Sequence, residues 1–294
     1  MLVGMLVEQQ TVIPLVALPP AGSVTQSTPG QHPLQPAPPG GVPYLLFVPE
    51  NFSVSLPPLV LIHGISRNVH QHLDAFSGLA RQTGRMLIAP LFDEGRCKRY
   101  QQVRTRQCRA DQMLLAVLQD ARHLSGHLFK QIILYGFSGG AQFGHRFAML
   151  HPEMVSHLAI ASAGWYTFPD HQQVFPYGIS TNNRKGKRLA QNLKRFLLIP
   201  MLVMTGEFDI KRDVNLRKGK TIDHQQGRSR VERAARWVRA MQRAAAAQGI
   251  KSDISLSILP DSTHDFNRCV QLGGMSACLS NWLNASSTAP YESL

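Results

Sequence analysis

Gln131–Leu150 reads QIILYGFSGGAQFGHRFAML. It opens with an apolar, β-branched run, Ile132-Ile133-Leu134-Tyr135, and turns through Gly136-Phe137-Ser138-Gly139-Gly140. Phe143, Phe147 and Leu150 then follow at helical spacing. A strand, a glycine-flanked serine and a helix, in that order, predict a nucleophile elbow of the G-x-S-x-G type. The turn is too tight for side chains beside the serine, so Gly136 and Gly140 flank it, and Gly139 adds a further small residue. The Ser138 hydroxyl is thereby held off the strand tip on a strained backbone. The helix that follows aims its positive end at the same point, which favours negative charge developing there.

The same alternation extends on both sides of the elbow. Tyr44–Pro49 (YLLFVP), Pro58–Ile62 (PLVLI), Arg85–Ala89, His157–Ser162 and Asp253–Leu259 read as strands. So does Met201–Thr205, placed after Pro200 because a proline lacks the ladder N–H. Several of these runs are continuously apolar, as strands covered on both faces are. Val69–Arg81, Asp111–Ser125 and Ser229–Gln248 carry helical periodicity, and Met275, Cys278, Leu279 and Trp282 outline a last helix. Strands alternating with helices predict an α/β fold, with a mostly parallel central sheet and helices on both faces. Residues 169–195 break the alternation with a basic cluster, Arg184-Lys185-Gly186-Lys187-Arg188, and read as an excursion over the top of the sheet. In Ser229–Gln248 the residues Val231, Ala234, Ala235, Val238, Met241 and Ala245 form an apolar stripe. Arg230, Arg233, Arg236, Arg239 and Arg243 lie opposite and read as its solvated side.

With 294 residues, 44% of them hydrophobic, the chain can build one large domain, expected over residues 42–294. Residues 1–41 are rich in Pro, Gly, Ser and Gln and are expected to be a mobile leader. The opening MLVGMLVEQQ has no basic n-region and carries Glu8, so it does not read as a secretory signal, and a cytoplasmic location is expected. No apolar run is long enough for a membrane span. A formal charge of +13 fits nucleic acid, an anionic surface, an acidic substrate, or simply a solvated exterior. No nucleic-acid-binding motif accompanies it, and aromatic residues make up only 7% of the chain, which leaves no stacking platform. No nucleic-acid partner is therefore expected. Cys97, Cys108, Cys269 and Cys278 form no C-x-x-C pair. They are expected to be free, mostly buried thiols. Two short-loop disulfides, 97/108 and 269/278, are the alternative in an oxidising compartment.

A serine hydroxyl needs a base, a group that orients the base, and donors for an oxyanion. The sequence offers each near a strand end. His264 lies in Pro260-Asp261-Ser262-Thr263-His264, between the last strand and the last helix, and of the 12 histidines it alone holds such a place. Gly206-Glu207-Phe208-Asp209 follows Met201–Thr205, and Asp209 is assigned as the orienting acid, with Glu207 and Asp213 as alternatives. His63-Gly64-Ile65-Ser66 follows the second strand, where Gly64 lets the backbone come close. The N–H groups of Ile65 and Gly139 are expected to be the oxyanion donors. His63 reads as structural, and His145 and His151 as surface or packing residues. Ser66 and Trp165 are candidate pocket residues, and Tyr166 is a pocket or core residue.

From Val42 onward, HG after an early strand, GFSGG, GEFD and STHDF match the α/β-hydrolase superfamily in order and spacing. The GFSGGAQ elbow and the GRSRVERAARW helix resemble esterases related to polyhydroxybutyrate depolymerases and feruloyl esterases. The resemblance implies a Ser–His–Asp triad of Ser138, His264 and Asp209, with no metal and no cofactor. It implies a serine hydrolase of carboxylic esters, small or polymeric. Peptidase or acyltransferase use of the same triad is the alternative, and a basic binding protein on a hydrolase scaffold is the reading from a different class.

Overall fold

The computed structural model describes residues 32–287. Among these residues the strands are β1 Tyr44–Phe47, β2 Leu59–Ile62, β3 Leu87–Pro90, β4 Ile132–Phe137, β5 Val155–Ala161, β6 Met201–Gly206 and β7 Ile254–Leu259. The helices are α1 Val69–Thr83, α2 Glu94–Cys97, α3 Ala110–Ser125, α4 Gly139–Leu150, α5 Arg184–Leu197, α6 Lys220–Gln226, α7 Arg230–Ala246, α8 Phe266–Gln271 and α9 Met275–Ser287. One sheet takes all seven strands in the order β1-β3-β2-β4-β5-β6-β7. β1 runs antiparallel to β3, and every other neighbouring pair is parallel.

The apolar strands are continuous because both faces are covered. Ile132 and Leu134 pack into one core with residues of α3, α4, α5 and α7. Ile133 and Tyr135 point the other way, into a second core with α1, α8 and α9. The parallel order leaves the C-terminal ends of β2, β4, β6 and β7 along one edge, and the loops that leave those ends carry the candidate chemistry.

Four expectations need correction. The excursion at 169–195 ends in a helix, α5, because Leu189, Leu193, Phe196 and Leu197 recur at helical spacing and are buried under its cations. On α7 the arginine side is only partly solvated: Arg230 and Arg233 are buried. Each meets carboxylates above the sheet, Arg230 at Asp209 and Asp213 on the loop after β6, and Arg233 at Asp223 in α6. Cys97 and Cys108 are joined in a disulfide, with Cα atoms 5.5 Å apart, while Cys269 and Cys278 are free. Ordered contacts also begin before Val42. Gln35 pairs with Tyr44, and the His32 ring stands edge-on to Phe47 at 5.4 Å. The rest of the expected leader lies outside the described residues. Among the described residues no helix is long and apolar enough to cross a membrane.

Backbone segments come very close at the elbow. A Cβ on Gly136 would run into the Gly140 carbonyl, and one on Gly140 into the carbonyl oxygens of Ile62 and His63. Gly144, one turn on, is different: its Cβ would meet only side chains, the nearest being Ile160 at 3.4 Å. Gly140→Ala should therefore destabilise the protein by about 3 kcal/mol or more, since backbone cannot move aside as a side chain can. Gly144→Ala should stay within about 1 kcal/mol of wild type, because helix propensity offsets the tighter packing. Urea unfolding of the two variants checks the contrast, and equal losses would mean that the close approach is not what restricts residue 140.

Candidate active site

Ser138 sits between β4 and α4 with φ +53° and ψ −108°, a conformation that side chains rarely adopt. Its Oγ lies 3.0 Å from Nε2 of His264. The opposite ring nitrogen, Nδ1, lies 2.8 Å from Oδ2 of Asp209. An ionised carboxylate only accepts, so Nδ1 carries the proton and donates to Asp209. Nε2 is then left to accept from the serine hydroxyl. The His264 ring lies against Phe137 at 5.5 Å and 21°, which fixes its tilt. Asp265 caps α8 through the Arg268 N–H, and this anchors the loop that carries His264.

Asp209 is 1% exposed. Its own N–H closes the turn onto the Gly206 carbonyl at 3.0 Å. While Oδ2 faces His264, Oδ1 accepts from Nη1 of Arg230 at 3.2 Å. The same guanidinium holds Asp213 with two bonds, of 2.7 and 3.1 Å. Asp213 thus belongs to the Arg230 ion pair. Burial raises its pKa, but the bonds and charge of Arg230 outweigh this and hold it at about 2. Glu207 is exposed and turned to the Asp261 N–H at 3.3 Å. Of the three candidate acids, only Asp209 is brought to the imidazole.

The loop after β2 closes over the serine. A Cβ on Gly64 would stand 3.7 Å from Cβ of Ser138, and one on Gly139 would stand 3.4 Å from the Ile65 nitrogen. The Ile65 nitrogen is thus brought close to Gly139, the residue after Ser138. His63 underlies this loop. Its Nδ1 donates to the Gly64 carbonyl at 2.7 Å, and its Nε2 accepts from the Phe92 N–H at 3.0 Å. Burial depresses its pKa to about 4, so it stays neutral and structural. His145 is likewise a packing residue, between the Ala141 carbonyl and the Thr167 N–H.

A cavity of about 210 Å³ opens beside Ser138 and His264, with Ser66, Asn68, Gln71 and Asn215 in its wall. Trp165 is not brought to this cavity. It is buried, with the guanidinium of Arg146 over its ring at 4.2 Å and that of Arg217 at 5.2 Å. Tyr166 is core, stacked on Trp237 at 5.0 Å.

Two residues with a part in this geometry were missed in the sequence. Tyr100 donates to the His63 carbonyl at 2.6 Å from a polar loop whose only signal is an isolated aromatic. Arg230 was placed on the solvated side of its helix, and only the fold brings Asp209 and Asp213 to it.

No protein-family model and no curated protein matches the sequence. Solved structures do match. LpqC, a poly(3-hydroxybutyrate) depolymerase from Bordetella parapertussis, is 25% identical, with a TM-score of 0.69 over 87% of this chain and 91% of that one. Poly(aspartic acid) hydrolase-1 from Sphingomonas sp. KT-1 is 23% identical, with a TM-score of 0.69 over 82% and 92% of the two chains. MPT51 (FbpC1) of Mycobacterium tuberculosis is 14% identical, with a TM-score of 0.52 over 87% and 99%. The chain has the α/β-hydrolase fold.

The Asp213–Arg230 pair gives a pH prediction. A carboxylate whose folded pKa is depressed adds stability above its unfolded pKa, near 3.8, and loses it as pH falls towards about 2. Asp213→Asn should thus be less stable than wild type at neutral pH. The difference should shrink through that acid window and vanish below it. Melting temperatures of both proteins across the range check this, and a pH-independent difference would contradict it.

Proposed function

We propose that the protein is a serine hydrolase acting on carboxylic esters. Ser138 attacks the acyl carbonyl, and His264 Nε2 takes its proton. The Ile65 and Gly139 amides hold the oxyanion. His264 then gives the proton to the leaving alcohol, and an acyl-serine remains. Water, activated by the same imidazole, releases the acid. Asp209 holds the ring in the right tautomer and stabilises the imidazolium. The observation that carries the reading is the hydrogen-bond chain Ser138–His264–Asp209, with links of 3.0 and 2.8 Å, on a serine of strained backbone. The likeness at 25% identity to a poly(3-hydroxybutyrate) depolymerase supports an ester substrate.

The cavity is small, about 210 Å³, and much of its wall is polar amide. This supports a short acyl or alcohol group, or one unit of a longer chain at a time. The Cys97–Cys108 disulfide supports an oxidising surrounding rather than the cytoplasm expected from the leader. Denaturing alkylation of protein taken unreduced from its native source should then label two cysteines, and four labelled cysteines would overturn that placement.

Ser138→Ala should abolish hydrolysis of p-nitrophenyl acetate and labelling by a fluorophosphonate, with the melting temperature almost unchanged. Asp209→Asn should lower kcat by at least about a hundredfold with little change in KM, since the tautomer and the imidazolium lose their partner. Asp213→Asn should stay within roughly tenfold of wild type. Labelling that persists in Ser138→Ala would sink the assignment of the nucleophile. A dead Asp213→Asn beside an active Asp209→Asn would move the acid one turn on.

A further inference from the structure

Two basic segments, far apart in sequence, meet on one face. Residues 94–109 carry six cations, Arg96, Lys98, Arg99, Arg104, Arg106 and Arg109, against a single carboxylate, Glu94. Residues 184–188 carry four more and no carboxylate. Lys185 Nζ donates to the Arg104 carbonyl at 2.8 Å, which fastens the second segment to the first across 81 positions. The face is recessed. One hollow of about 750 Å³ follows the disulfide-bounded loop, and another of about 730 Å³ lies against the start of α5. Thr105 lines both, so they adjoin as a two-part basic channel.

The charge in this channel is not neutralised from within. Arg96, Lys98, Arg104 and Arg109 have carboxylate partners. Arg99, Arg106, Arg184, Lys187 and Arg188 are exposed and meet no carboxylate among the described residues. Four of the cations also occupy the first turns of α5, where the positive end of the helix opposes them and no acidic residue compensates. The Cys97–Cys108 bond holds the repelling charges of the other segment together, so the face is organised before anything binds.

We propose that this channel binds an extended polycarboxylate, an acidic polypeptide segment. The cations are mostly arginines, whose forks suit carboxylates. Two arginines of the second hollow already engage a carboxylate: buried Asp111 is held by Arg104 at 2.6 Å and by Arg109 at 3.1 Å. A recess suits a single chain better than a flat membrane. Its linings contain no Phe, Tyr or Trp on which the bases of a nucleic acid would stack, and the one ring there, His151, is buried. The proposal is independent of the hydrolytic reading, and its test involves no catalysis.

The test is fluorescence anisotropy with labelled poly-L-glutamate, read against salt concentration, on the full chain. Wild type should bind saturably at low salt and lose affinity steeply as salt rises. Arg106→Glu with Lys187→Glu, one reversal in each segment, should weaken binding at least tenfold. Both positions are exposed, and a glutamate in the first turn of α5 is favourable to the helix, so the fold should hold. Arg239→Glu with Arg243→Glu makes the same change of charge on exposed positions of α7 and should leave affinity within about twofold. Melting temperatures control for folding. Equal weakening by both pairs would reduce the effect to net charge and overturn the site. So would no binding by wild type, or tighter binding of a DNA duplex or of phosphatidylserine vesicles at matched charge concentration.

Discussion

Asp209 is a carboxylate almost wholly removed from water, and such a charge survives only where partners replace the lost hydration. Here one oxygen faces the His264 ring and the other faces Arg230, itself 1% exposed. Arg230 is in turn anchored by two bonds to Asp213, which is one-third exposed and so reaches towards solvent. The chain of contacts therefore runs from Ser138, through two buried charges, to a carboxylate at the surface. Each member is fixed by the next. Asp209 needs a cation behind it to be buried at all, and His264 needs Asp209 buried if its ring is to hold a single orientation.

The sheet makes this arrangement possible with little else. β4 leads directly into Ser138, β6 into the loop that carries Asp209, and β7 into the loop that carries His264. Parallel register brings these ends level, with Gly206 opposite Leu259 and Gly136 opposite Ile62. Backbone bonds then tie the loops to one another. Glu207 N–H donates to the Leu259 carbonyl, and Phe208 N–H to the Ser262 carbonyl. The Asp209 and His264 loops are thus stitched together by their main chains, and the side chains complete a geometry already set by the backbone.

What was legible in the sequence was whatever depends on local pattern. β2 and β4 are apolar throughout, and that pattern is the same whether or not their neighbours are known. The elbow, the His264 loop and the HG turn were legible because each is a short motif at a strand end. α5 was hidden because Arg184–Arg188 masks an apolar stripe that begins only at Leu189. The burial of Arg230 and Arg233 was hidden for a different reason. Helical periodicity marks the side of a helix that lacks apolar residues, but it cannot say whether loops from elsewhere will cover that side with carboxylates and carbonyls. The disulfide depended on the fold in the same way, since four cysteines allow several pairings and only the path of residues 97–108 selects one.

α7 shows why arginine, rather than lysine, stands at those two covered positions. Arg233 donates from Nε to the Gly227 carbonyl at 2.9 Å, from Nη1 to the Gly164 carbonyl, and from Nη2 to the Arg217 carbonyl at 2.8 Å and to Asp223 at 3.0 Å. These acceptors come from separate stretches of chain, and a planar fork reaches them from three nitrogens at once. A lysine ammonium offers three donors from a single point and could not span them. Arg230 uses the same breadth to hold Asp209 and Asp213 together. One helix turn thus separates a residue that gathers the loops above the sheet from one that backs the acid. The apolar stripe of α7 packs on the sheet and fixes the height of both. The helix read from sequence as a solvated arginine face is in this way the element that joins the core of the fold to its candidate site.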